Sequence, residues 1–426
     1  MLKNVLVPHV IKRYISIFPQ LQWYVPTTPE LDIEYLCNHK NTEEISKNIA
    51  ARKGIGNINL VLELKKTLDG TSSTSKEYPT IKQQFLEELR KIPNKTHPSI
   101  SSLENEPRTV KTIGVPKVFN FKPWEFDEIT KRLHLVRTEQ LGNVAGNRCY
   151  YLMGDMALLE QALIKYTVSN LLKQNFQLIS VPDILHRNII EACGLNTRGE
   201  RTQVYTLDKK KHGADLCLSG TSEMSLASLY SNKILSEVEL PIKLAAVSRC
   251  YRAETSSISE ERGIYRVHQF TKVEMFAISK PEDSDSILEE FRIIEEENFA
   301  ALGLHLKTLD MPPHELGAPA YRKYDIEAWL PGRNMFGEIS SCSNCTDYQS
   351  SRLDIKYKKG NSLKYVHTLN GTACAIPRML IAIIETFQTD KGTIDIPEML
   401  QKYMYNKKVI GRQKAVPELK LMKYKK

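Results

Sequence analysis

The sequence predicts an α+β protein, an antiparallel sheet flanked by helices, preceded by a small helical N-terminal domain with a short antiparallel helix pair. Three observations predict it. Helical periodicity dominates residues 30–105, mixed strand and helix patterns take over from about 110, and residues 251–276, YRAETSSISEERGIYRVHQFTKVEMF, read as a long antiparallel hairpin. In that stretch Val267, Phe270, Val273 and Phe276 partly alternate with polar neighbours, and Gly263 closes the polar loop TSSISEERG. The same two dozen residues carry Arg252, Glu254, Arg262, Arg266, His268, Lys272 and Glu274. Buried charges must be paired, so a sheet face this rich in arginine and carboxylate suits a polyanionic or zwitterionic ligand; a surface salt-bridge ladder would show the same alternation.

Within the helical region, TEEISKNIAARKG starts at a cap at Asn41 or Thr42 and stops at Gly54. INLVLELKKTL and IKQQFLEELRKI then give about three amphipathic turns each, separated by the polar break DGTSSTSKEYPT. KIPNKTHPSI, with two prolines, reads as a linker. Further on, DMALLEQALIKYTVSNLLKQNF is a long amphipathic helix and FQLISVPDIL a buried strand broken at Pro182. ADLCLSGTSEMSLASLYSN gives strand, turn and helix, while YDIEAWLPG and MFGEISSCSN are strands. HTLNGTACAIPRMLIAIIETFQ runs from a strand through a glycine-containing turn into an apolar helix.

Composition narrows the classes. A chain of 426 residues, 41% hydrophobic and 26% charged, has ample core for one large domain or two. No apolar run reaches the roughly 18 residues that span a bilayer, so no membrane partner is expected. The net charge of +9 fits an acidic partner such as nucleic acid and equally a basic organellar protein. Eight scattered cysteines lack the density of a disulfide scaffold, and the CxxC of Cys342 and Cys345 has no second pair at zinc spacing; reduced thiols are expected and zinc is not. Residues 1–29 hold Lys3, Lys12 and Arg13 without one acidic residue, which resembles a mitochondrial presequence, against an ordinary basic N-terminus. There is neither a GxGxxG nor a GxxxxGK[ST] loop, which argues against Rossmann and P-loop sites.

Taken in order, these pieces resemble the class II aminoacyl-tRNA synthetases, and the seryl-tRNA synthetases in particular, in their mitochondrial form. The helix–strand–proline unit ending at Pro182 resembles the first class II motif, the hairpin at 251–276 the second, and GTACAIPR with its helix the third. TSE, KVE and EISSCSN are similar to the seryl branch. The resemblance covers about residues 110–400. It implies a class II catalytic domain over 106–405, a reduced tRNA-binding arm domain over 30–105 and a basic tail over 406–426.

The implied activity is a serine–tRNA ligase of the mitochondrial matrix, with ATP and L-serine as substrates, Mg2+ as cofactor, serine tRNA as acceptor and a homodimer joined at the motif-one helix. Forming an aminoacyl adenylate brings a carboxylate to the α-phosphorus of ATP, so two anions must be held together; arginines, permanently charged and bidentate, suit that task. The resemblance puts Arg252 between α-phosphate and serine carboxylate, Arg378 on the γ-phosphate and Arg266 on the folded-back pyrophosphate. Phe270 would stack on adenine and Glu254 accept from its amino group, with Ile339 and Ser340 completing the ATP site. Glu338 and Ser341 match the metal-binding pair. Thr221, Ser222 and Glu223 match the loop that takes the serine ammonium, Glu274 touches the substrate, and Asn370 and Thr372, at the motif-three turn, face its hydroxyl. A site built around a hydroxyl rejects alanine, which would leave buried polar groups unpaired. His268 and Cys374 are expected to pack and not to catalyse.

Two features depart from the family pattern. The arm is cut to helices of about three turns, some 15–20 Å each, and Ser351 stands where many relatives have arginine. Both touch tRNA recognition and leave adenylate formation alone. A shortened mitochondrial tRNA fits them, as does phosphate binding by the tail KLMKYKK, which reads equally well as a solvated tail. A catalytically inactive paralogue acting as a tRNA- or partner-binding protein, and a ligase for another acceptor, are the competing readings.

Overall fold

In the computed structural model, residues 31–139, 141, 144–199, 202–254 and 262–417 are described. The N-terminal 30 residues, residues 255–261 and the KLMKYKK segment lie outside them, so the presequence reading and the phosphate-binding reading of KLMKYKK fall there too.

Eight strands form the main sheet: β1 (Arg108–Ile113), β2 (Gln177–Ile179), β3 (Ile242–Tyr251), β4 (Gln269–Ser279), β5 (Leu306–Asp310), β6 (Arg322–Leu330), β7 (Met335–Asn344) and β8 (His367–Ala375). Their spatial order is β1-β5-β6-β7-β8-β4-β3-β2. Every pairing is antiparallel except β2 with β3. The expected antiparallel sheet is therefore present with one parallel edge strand. β2 is not the buried strand its apolar residues suggested. It has a single neighbour, and Leu178 is 45% exposed.

The N-terminal helices are α1 (Thr42–Ala51), α2 (Ile58–Asp69) and α3 (Tyr78–Arg90). Helix α2 is capped by Asn57, whose side chain accepts from Leu60 N–H. Val61, Phe85 and Leu89, at helical spacing on α2 and α3, bury against Ile45 and Ile49 of α1 in a separate small core. The short helix pair is as expected. The segment 91–100 is not a free linker: Asn94 N–H donates to Ala318 O and His97 N–H to Tyr321 O, both at 2.9 Å.

Helices α4 (Asp155–Lys173), α5 (Glu223–Ser228), α6 (Ser284–Ala300) and α7 (Ile376–Thr386) flank the sheet. α7 is apolar nearly all round, as an interior helix must be, and Arg378 in its first turn is its one residue that is not buried. β4 is walled in on both faces, with Val273, Met275 and Ala277 in the larger core and Phe276 and Ile278 in a second.

Three local expectations need correction. The 251–276 hairpin has its strands further apart in sequence than the alternation implied, because Arg252, Glu254, Arg266 and Val267 all lie in the connection between β3 and β4. Gly371 is not in a turn but inside β8, where an added Cβ would sit 2.9 Å from Phe291 and 3.0 Å from Glu295 Oε1. The tail begins later than residue 406: Val409–Ile410 pairs with Ile394–Asp395, and Lys407 Nζ reaches Asp155 at 2.6 Å.

Candidate active site

Three strands and a helix end aim polar side chains into one cavity of about 410 Å3. On β4, Phe270, Lys272 and Glu274 alternate onto a single face. On β8, Asn370 and Thr372 share a face, and Thr372 lies opposite Glu274 in register. On β7, a bulge between the Ile326 and Glu327 pairings inserts Ile339 as an extra residue. That extra residue changes parity, so Glu338 and Ser341, which a regular strand would point to opposite faces, both line the cavity. α7 contributes Arg378 from its first turn.

One end is built on arginine. Arg266 Nη1 donates to Glu254 at 3.0 Å, and Glu254 also accepts from Gln203 at 3.3 Å. The Arg252 guanidinium stands 5.2 Å from the Phe270 ring centroid. Its backbone is fixed by His268, whose Nδ1–H donates to Arg252 O at 2.8 Å and whose carbonyl accepts from Arg252 N–H at 2.9 Å. Arg378 pairs with the Glu338 carboxylate at 3.0 Å and lies 4.5 Å over the Tyr265 ring. Burial works against ionising Glu338, but Arg378, Lys323 and Arg252 outweigh it and hold its carboxyl below the usual range. Ionised and 41% exposed, that carboxylate together with the Ser341 hydroxyl offers hard oxygen donors of the kind a magnesium ion takes.

The other end is buried and titratable. Lys272 donates to Thr221 Oγ1 at 2.9 Å and forms an ion pair with Glu274. Burial raises the Glu274 carboxyl even though Lys272 opposes it. Glu223 Oε1 accepts from Gln349 at 2.5 Å and from Asn370 at 2.9 Å. Burial first, and then the charge of Glu274, push Glu223 up to about 7. Ser340 donates to the Thr372 carbonyl and ties β7 to β8 at this point.

Of the residues singled out from sequence, Thr221, Glu223, Arg252, Glu254, Arg266, Phe270, Glu338, Ile339, Ser340, Ser341, Asn370, Thr372 and Arg378 line the cavity. Glu274 sits just behind the wall, against Lys272. Ser222 does not join them: it is 1% exposed and its Oγ has no partner. Asn370 and Thr372 act from a strand and not from a turn. Sequence reasoning named Lys272 among the charged hairpin residues without giving it a role, and it missed Gln349, Gln203 and Tyr265. His268 and Cys374 pack, the latter with its thiol pushed up to about 12 by burial. Among the described residues, no group of three or more His, Cys, Asp or Glu is placed to hold a metal ion. No described helix is long and apolar enough to cross a membrane.

A sheet with this order, an arginine-bearing connection and an apolar helix led by Arg378 define a class II synthetase core, and residues 205–387 match the family profile described as tRNA synthetase class II core domain (G, H, P, S and T). Within that class the chain belongs to the seryl-tRNA synthetases. It is 39% identical over 365 residues to a serine–tRNA ligase of Dictyoglomus turgidum, covering 85% of each chain. It is 42% identical over 328 residues to a mitochondrial serine–tRNA ligase of Bos taurus, covering 76% of this chain and 63% of that protein's length. Among solved structures it resembles the seryl-tRNA synthetase of Pyrococcus horikoshii complexed with ATP, with a TM-score of 0.80 and 27% identity over 90% of this chain and 100% of that one. A cytoplasmic serine–tRNA ligase of Naegleria fowleri in complex with AMP gives a TM-score of 0.79 at 28% identity, over 90% of this chain and 99% of that one.

Proposed function

We propose that this chain is a mitochondrial serine–tRNA ligase, which activates L-serine with ATP and passes it to the 3′ end of serine tRNA. The observation that carries this is the division of one cavity into a guanidinium end and an ammonium end. At the first, Arg252 takes the α-phosphate together with the serine carboxylate, Arg266 and Arg378 hold the β- and γ-phosphates, and Phe270 and Glu254 hold adenine. At the second, Glu223 and Thr221 receive the serine ammonium, Asn370 and Thr372 face its hydroxyl, and Glu274 supports them from behind the wall through Lys272. Glu338 and Ser341 would hold Mg2+, which when bound neutralises phosphate charge.

The chain's own residues do the rest. Arg252 draws two mutually repelling anions to within reacting distance, converting an encounter into a positioned attack. Arg266 is held by Glu254 and Arg378 by Glu338, while the Arg252 backbone is pinned by His268 and its guanidinium lies near the Phe270 ring, so charge that builds on the phosphoryl oxygens meets donors placed beforehand. The intact set Arg252, Glu274, Glu338 and Arg378 argues against an inactive paralogue. Mitochondrial location is supported by the acid-free N-terminus and by the mitochondrial names of two relatives, from Bos taurus and Mus musculus. We take α4 as the dimer-forming helix. Charging of mitochondrial serine tRNA transcripts with labelled serine tests the whole proposal; charging supports it, and serine activation with no transfer redirects it to another acceptor.

A further inference from the structure

The strongest unassigned feature is a buried cation that joins the helical domain to the cavity wall. Arg52, at the end of α1, is 3% exposed. Among the described residues no carboxylate pairs with it; its guanidinium instead donates to backbone carbonyls: Nη1 to Asn94 O at 2.9 Å and Lys95 O at 3.1 Å, Nη2 to Gly317 O and to Ala318 O at 3.4 Å. Burial draws it down to about 10, so it stays charged at neutral pH. Asn94 extends the same clamp, its Nδ2 donating to Pro319 O at 2.8 Å, Cys345 O at 2.9 Å and Thr346 Oγ1 at 2.9 Å. Gly317–Ala320 and Cys345 line the cavity. Cys345 Sγ in turn accepts from Asn370, the residue that bonds Glu223.

A guanidinium is costly to bury, and four carbonyls from two separate segments recover that cost only while those segments stay together. The segments are residues 94–95, just after α3, and the loop at 317–318. We propose that Arg52 and Asn94 are positioning residues for the serine end of the site, making the N-terminal domain a structural part of that wall. Among the described contacts the clamp reaches Asn370 and the 317–320 loop, on the side of Glu223. Its loss therefore displaces the amino-acid end and spares the nucleotide end. This rests on the serine-ligase reading given above.

The test is ATP–pyrophosphate exchange by the full-length chain, unaltered and as Arg52→Gln and Asn94→Ala. Each variant is expected to raise the serine KM about tenfold with the ATP KM within about twofold. A serine KM within about twofold in either variant, or serine and ATP KM values rising together, overturns the inference while leaving the ligase reading in place. No serine-dependent exchange by the unaltered chain overturns both. If neither variant folds, the unaltered chain decides. A sulfamoyl analogue of seryl adenylate should slow amide exchange at Asn94 and His97 about tenfold or more, and unchanged exchange there contradicts the coupling.

Discussion

The two ends of the cavity solve different electrostatic problems. At the end proposed for the nucleotide the cations are arginines, of which Arg266 and Arg378 are already engaged by Glu254 and Glu338. At the end proposed for the amino acid the groups are Lys272, Glu274 and Glu223, enclosed, with two carboxyls raised by burial. A polyphosphate brings so much charge that fixed cations suffice. A small zwitterion with one hydroxyl has to be told from its neighbours, and enclosed polar groups that tolerate no unmet partner make that distinction. Nucleotide binding should therefore be insensitive to pH where serine binding is not.

The sharpest way to break this contrast is Arg378→Ala, which removes a fixed cation from the nucleotide end. Exchange activity should fall about a thousandfold with the fold retained; activity within tenfold of the unaltered chain would remove Arg378 from the site. Next in size is Glu274→Ala. It strands Lys272 as a buried unpaired charge and should cost on the order of 3 kcal/mol of stability in urea denaturation, with serine activation lost as well. An unchanged midpoint would mean that the pair is not enclosed.

A pH series separates the ends directly. Glu223 titrates near 7 when folded, against an ordinary value of 4.5. Its raised value means that its contribution to stability is fully present below about 4.5 and is lost as pH rises through about 7. If ionised Glu223 receives the ammonium, serine KM should fall roughly tenfold per pH unit up to about 7 and then level off, while ATP KM stays flat. Glu223→Gln should flatten both the serine profile and this residue's share of the stability slope. Parallel serine and ATP profiles would erase the contrast. The smallest effect is expected for Ser222→Ala, with serine KM moving by less than about twofold, because Ser222 does not line the cavity and its hydroxyl has no partner among the described residues.

Much of this was legible in sequence because it is local. The apolar run after Arg378 had to be an interior helix, and three amphipathic turns on either side of DGTSSTSKEYPT had to pair. The cavity residues came through motif resemblance, since thirteen positions scattered from 221 to 378 show no common periodicity. What stayed hidden was set by pairing across the sheet. Gly371 reads as a turn residue until Phe291 and Glu295 press against it inside β8. Ile339 reads as one more strand residue until register makes it a bulge. Asn94 sits in a proline-flanked stretch that reads as linker, and the carbonyls its Nδ2 donates to are more than 200 residues away.

Serine-dependent ATP–pyrophosphate exchange by the unaltered chain tests the central claim most directly, with alanine, threonine and glycine run beside serine. The account predicts exchange with serine and, for alanine, a kcat/KM lower by a factor on the order of 10^4, since the missing hydroxyl leaves enclosed polar groups unmet. No exchange with serine, or comparable exchange with alanine, would contradict it.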